Sequence, residues 1–153
     1  CNERSLAISN VYLTGSLATF VGSFAFGFFI DAFGPAMGAR IGMIGIICGF
    51  VLSALALILD LSVLLYPGMG LLGFCGLSQQ ISVLSGSTLF PGYKGTFVSM
   101  MSGSFDLGSL AFVIVAGVAG AGIPLQWSLL GYTGVLLLPL LVYTFLFPPS
   151  RPY

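Results

Sequence analysis

The fold is decided by residues 41–59, which read IGMIGIICGFVLSALALIL between Arg40 and Asp60. This stretch contains no charged residue, and at about 1.5 Å per residue a helix of that length crosses most of the about 30 Å of hydrocarbon in a bilayer. The rest of the chain has the same character, since 58% of its 153 residues are hydrophobic. We therefore predict an all-α, polytopic transmembrane helix bundle that forms a single unit over residues 1–153.

The few charged residues divide the chain into spans. Roughly a quarter of a soluble domain is charged, whereas here four basic and four acidic residues are the whole inventory. A water-exposed surface cannot be built from so few charges. They are Glu3, Arg4, Asp31, Arg40, Asp60, Lys94, Asp106 and Arg151.

The positions of these charged residues predict five membrane spans. The connections between them are short, so successive helices are expected to be antiparallel neighbours. The third span is long enough to tilt or to contain a break near residues 66–68, and residues 120–124 predict a tight turn. Loops at 31–40 and 90–94 and the C-terminus then share one side with three of the four basic residues, which predicts that this side is cytoplasmic or its organellar equivalent. The predicted spans are residues 8–30, 41–59, 62–89, 95–119 and 125–147.

Composition also excludes several classes of function. The net charge is zero and no basic cluster occurs, so nucleic-acid binding is not expected. Histidine is absent, and no nucleophile–base pair or metal-ligand cluster is recognisable, so neither an enzyme nor a metal site is expected. Three cysteines without a C-x-x-C pair imply no disulfide framework. The chain begins with Cys1 rather than Met, which indicates processing or truncation.

Glycine spacing predicts close helix packing. Small residues let transmembrane helix backbones approach one another, and residues 38–49 contain two successive G-x-x-x-G patterns. We interpret both as packing inside one protein. Residues 68–73 spell G-x-G-x-x-G, but no strand precedes them, so we favour helix packing over a dinucleotide site.

Polar residues form a stripe at helical spacing in each of the third and fourth spans. Two readings remain open: a polar cavity that binds a small solute, or hydrogen-bonded contact between helices. Asp106 is predicted about 16 Å into the about 30 Å hydrocarbon layer, where an unpaired carboxylate is costly. The cavity candidates are Gln79, Ser82, Ser102 and Asp106.

Two segments resemble a known family. Residues 27–35, GFFIDAFGP, together with Arg40, resemble the loop motif of the major facilitator superfamily, with Gly27, Asp31 and Gly34 at its motif positions. Residues 90–106 look like a region of its system-L-type neutral amino-acid transporters. The resemblance implies that the five spans correspond to helices two to six of the amino-terminal half, and that Asp31 belongs to a cytoplasmic latch. Ala32 departs from the family pattern, which usually has a basic residue there.

Two hypotheses about function follow. The first is an integral membrane accessory or structural subunit, derived from a facilitator-like half-transporter, that does not transport alone and packs within a larger membrane-protein complex. The alternative is a fragment of a facilitator transporter for neutral amino acids or similar small solutes. Membrane lipids are the expected partners and bound molecules. If the assembly is photosynthetic, the side chains that could ligate a pigment magnesium are Asn10, Gln79, Gln80 or the acidic residues.

Overall fold

The protein is a helical bundle. The computed structural model describes residues 2–85, 87, 91–108 and 110–146, and every regular element in these ranges is helical. Among the described residues, three helical stretches are long and apolar enough to cross a membrane, Ser9–Phe33, Pro35–Ile58 and Leu125–Leu146. This confirms the prediction of an all-helical bundle, and helices of this length and composition are consistent with an integral membrane protein. The division into five spans stays a prediction. The helices are α1 (Asn2–Phe33), α2 (Pro35–Ile58), α3 (Leu65–Ser85), α4 (Lys94–Gly108), α5 (Leu110–Gly120), α6 (Leu125–Tyr132) and α7 (Leu138–Leu146).

A single residue connects α1 to α2. Gly34 has φ 85°, a conformation that residues with a side chain rarely adopt, and its N–H donates to the Ile30 carbonyl at 2.8 Å. Pro35 begins α2, because its fixed φ suits the first helical position. The loop predicted over residues 31–40 is therefore wrong: Asp31 lies in α1 and Arg40 in α2. The periodicity of apolar residues does not show that one residue is enough to connect α1 to α2.

Helix α3 lies between α1 and α2 and packs extensively against both. Helices α6 and α7 pack on α2 as well, whereas α1 and α2 contact one another much less. Successive helices α1, α2 and α3 run antiparallel, as their short connections require. The result is a compact unit of three helices with α3 at its centre, and α6–α7 attached through α2.

The remaining turns follow from local chemistry. A short 3₁₀ turn, Ser62–Leu64, leads directly into α3, and Pro67 stands in the first turn of that helix, where a missing N–H is tolerated. Residues 66–68 therefore start the helix and do not break it. The predicted tight turn after α5 is confirmed, with Gly122 at φ 98° and Pro124 as the N-cap of α6.

The last apolar stretch is one helix with a π-helical turn inside it. Thr133–Leu137 form this turn, and the Leu138 N–H donates to the Thr133 carbonyl five residues earlier. Pro139 explains its position, because a proline ring collides with the carbonyl four residues earlier in an α-helix, and a wider turn relieves that collision. Leu137 joins Met43 and Phe50 of α2 in a buried cluster.

Candidate functional site

The glycines of α2 form a groove that α3 fills. A β-carbon added at Gly42 would overlap Ser78, one at Gly45 would overlap the Cys75 sulfur, and one at Gly38 would stand 2.6 Å from Ile30 and 3.0 Å from the Ser82 hydroxyl. Close approach of the helix axes therefore requires glycine here. The prediction that both G-x-x-x-G patterns pack within one chain is confirmed. The positions in the groove are Gly38, Gly42, Gly45 and Gly49.

On its other side α3 meets α1 equally closely. A β-carbon at Gly22 would overlap the backbone of Phe74, and one at Gly73 would overlap the backbone of Gly15. A β-carbon at Gly68 would stand 2.6 Å from the Ser53 hydroxyl of α2. Two of the three glycines in the G-x-G-x-x-G pattern thus serve helix packing, which supports that reading over a dinucleotide site.

Gln79 makes a hydrogen bond between helices. Its side-chain amide nitrogen donates to the Ala39 carbonyl of α2 at 2.6 Å. Beside it, the buried Ser78 hydroxyl donates to the Cys75 carbonyl within α3 at 2.6 Å. The polar stripe of α3 is therefore used at this level for contact with α2.

The other cavity candidates are distributed over two helices. Ser82 is 8% exposed and lies against Gly38, and within the described part of the chain its hydroxyl has no hydrogen-bond partner. Ser102 is half-buried on α4. Asp106 belongs to α4 by its backbone, and its side chain lies outside the described residues. The structure therefore brings Gln79 and Ser82 together against α2 and places Ser102 on a separate helix.

The residues of the facilitator-type motif have different surroundings. Asp31 is exposed at the end of α1, Gly34 forms the turn, and Gly27 has open space where a side chain would be. Arg40 turns toward the last helix: its Nε donates to the Thr144 carbonyl at 3.3 Å, and its guanidinium carbon lies 5.3 Å from the centre of the Phe145 ring. A cation is favourable at that point, because the last carbonyls of a helix carry partial negative charge.

Sequence reasoning did not identify the contact between Arg40 and α7. The two partners stand more than a hundred positions apart in the chain. Thr144 and Phe145 are ordinary members of an apolar helix, so no local pattern marks them. The contact places the α1–α2 turn and the end of α7 at the same end of the bundle.

Within the described residues, a face of α4 formed by one serine and two glycines has no helix packed against it. Ser99 and Gly103, four residues apart on α4, are both exposed, and nothing lies within 4 Å of where a Gly103 side chain would begin. Among the described elements, α4 contacts only α3, α5 and the short turn before it, and α5 contacts only α4 and α6. We call the surface of Gly95, Ser99 and Gly103 the open face of α4.

Replacing Gln79 by leucine is expected to lower the free energy of unfolding by about 1 kcal/mol, because hydrogen bonds between membrane helices contribute on average about 0.6 and at most about 1.7 kcal/mol. Unfolding of the detergent-solubilised chain, followed by circular dichroism, measures the change. Gln80→Leu is the matched control, since it removes the same amide about 100° further around the helix. Equal losses in the two variants would show that the Ala39 contact has no special role.

The described residues contain no group of three or more acidic or cysteine side chains that could hold a metal ion. They present instead a set of packed helix contacts and one uncovered polar face. The chain matches no protein-family model, no curated protein and no solved structure at a significant level.

Proposed function

We propose that this chain is an accessory or structural subunit of a larger membrane assembly. In this proposal α1, α2 and α3 form a rigid core, and the open face of α4 receives a transmembrane helix of a partner protein. The partner helix carries small residues that permit close approach, together with hydroxyl or amide groups that pair with Ser99.

The open face carries the proposal. A polar helix face is costly against lipid, because hydrocarbon offers no hydrogen-bond partners, so such faces turn toward protein or water. Within the described residues α4 has no such cover from α1 or α2. Elsewhere in the chain, glycines of α2 and α3 lie directly against neighbouring helices. The residue types of the open face are therefore ones that this chain uses for helix contacts.

The packed stripe of α3 favours this role over solute binding. A solute cavity needs polar groups that converge on free space, whereas the Gln79 amide is engaged with Ala39. Ser78 is fully buried and Ser82 nearly so, both against the glycines of α2. The proposal therefore assigns these residues to structural contact, and it assigns the chain no enzymatic activity.

The finer expectations from the sequence belong to the same proposal. The chain crosses the membrane five times, with α3 and the pair α4–α5 as two of the spans. It derives from the amino-terminal half of a facilitator and does not transport by itself, because alternating access requires two bundles that move about a site between them. Lipids are its bound molecules.

Replacing Gly103 by leucine is expected to reduce the fraction of chain in the assembly about tenfold, since overpacking a close contact costs about 1–3 kcal/mol and about 1.4 kcal/mol corresponds to a tenfold change. The full chain is extracted from its native membrane in mild detergent, and its mass and co-purifying proteins are measured. The wild type is expected in a complex well above the 15.9 kDa of the chain.

Gly131→Leu provides the matched control, because Gly131 on α6 also has open space around it but lies outside the open face. This variant is expected to assemble as the wild type does. A wild-type chain that purifies alone, or a Gly103→Leu chain that assembles normally, would refute the proposed role.

A further inference from the structure

The last helix has two nearly equivalent faces, one residue apart. In the structure Leu137, Leu141 and Thr144 pack toward α2, with Leu137 6% and Thr144 9% exposed. The residues immediately before them, Leu136, Leu140 and Tyr143, point outward and are 51%, 48% and 57% exposed. Each set consists of two leucines and one residue with a hydroxyl group, Thr144 in the first and the larger Tyr143 in the second, so both sets offer a pair of leucines to α2.

The π-helical turn decides which face is used. Leu129 and Tyr132 of α6 pack on the cluster around Met43 and Phe50, with the rings of Phe50 and Tyr132 5.4 Å apart. An uninterrupted α-helix advances about 100° per residue, so from this anchor it would place Leu136, Leu140 and Tyr143 toward α2. The π-helical turn takes up one extra residue and thereby rotates α7, which brings the second set inward.

We propose that the last helix is a two-register switch. In one register the π-helical turn at Thr133–Leu137 is present and Leu137, Leu141 and Thr144 face α2. In the other the turn has relaxed to α-helix, α7 has rotated by about 100°, and Leu136, Leu140 and Tyr143 face α2. Pro139 sets the balance, because its ring disfavours the uninterrupted α-helix.

The switch acts on the contact between α7 and Arg40. That contact involves the Thr144 carbonyl and the Phe145 ring, both of which lie beyond the π-helical turn. Rotation of α7 turns the Phe145 ring away from the guanidinium, so the second register lacks this contact with Arg40 while α7 stays packed on α2. This conformational role does not depend on the proposed function.

Disulfide cross-linking of the full chain tests the two registers. Arg40 lies beside Thr144 and Phe50 beside Tyr132, so Met43 of α2 stands level with residues 140 and 141. In a background with Cys1, Cys48 and Cys75 replaced by alanine, Met43→Cys is combined with Leu141→Cys or with Leu140→Cys. Oxidation in lipid nanodiscs is expected to cross-link both pairs, the Leu141 pair more extensively.

Pro139→Ala is expected to raise the ratio of the Leu140 cross-link to the Leu141 cross-link by at least about tenfold, because it removes the ring that opposes the α-helical register. Leu138→Ala, an exposed neighbour with its N–H intact, is the control and is expected to leave the ratio unchanged. A Phe50→Cys and Tyr132→Cys pair lies before the turn and reports correct folding in every variant. Absence of the Leu140 cross-link in the native sequence, or an unchanged ratio in Pro139→Ala, would overturn the proposal.

Discussion

Replacing Gly22 by alanine is expected to lower the free energy of unfolding by about 3 kcal/mol, the upper part of the range for overpacking a well-packed interior. The added methyl group overlaps the carbonyl and the α-carbon of Phe74 in α3. These are backbone atoms, so no side chain can rotate away, and α1 and α3 must move apart along their shared length. Chemical unfolding in detergent micelles, followed by circular dichroism, measures the loss.

Gly27→Ala is the matched control on the same helix. Nothing lies within 4 Å of a β-carbon at Gly27, so the same change meets open space there. Alanine has the higher helix propensity, and the control is therefore expected to be neutral or slightly stabilising. A loss in Gly27→Ala comparable to that in Gly22→Ala would mean that the effect comes from the helix itself and not from its contact with α3.

Replacing Gly42 by alanine is expected to cost about 2 kcal/mol, again as overpacking, and Ser78→Gly is expected to restore most of it. The overlap in this case involves only the β-carbon and hydroxyl of Ser78, both of which the second substitution removes. The interaction is therefore confined to one pair of residues. A double-mutant cycle, with unfolding in detergent as the readout, measures the coupling.

The sign of the coupling energy tests whether α3 packs into the glycine groove of α2. If Ser78 faces Gly42, the double variant is more stable than Gly42→Ala alone. Independent, additive losses would place Ser78 elsewhere on α3 and would contradict the packing of α3 into the glycine groove. The single variant Ser78→Gly is measured alongside, because it also lowers helix propensity by up to about 1 kcal/mol.

The sequence predicted many residues of the candidate site, but it did not predict how they are arranged in space. The polar stripe of α3 was recognisable because its period matches a helix, and the period does not depend on the neighbour. The identity of the helix that covers the stripe, in contrast, is decided by the tertiary structure. Gln79 donates a hydrogen bond to the carbonyl of Ala39 in α2, forty positions earlier, and no sequence pattern links these two residues.

The stripe of α4 was foreseen in the same way. Its period is a property of the sequence, and the exposure of Ser99 and Gly103 is a property of the fold. Nothing in the spacing of these residues distinguishes a face that the chain covers itself from one that it leaves open. That distinction supplies the argument for a partner helix.

The sequence by itself determined the membrane setting, the helical class and the use of glycine for close packing, because hydropathy, the scarcity of charge and the spacing of small residues act locally along the chain. Tertiary structure alone decided two other features: the position of α3 between α1 and α2, and the contact of Arg40 with the end of α7. These depend on contacts between distant segments of similar apolar character. Leu136 and Leu137 are chemically identical, and the π-helical turn together with packing against α2 determines which of them is buried.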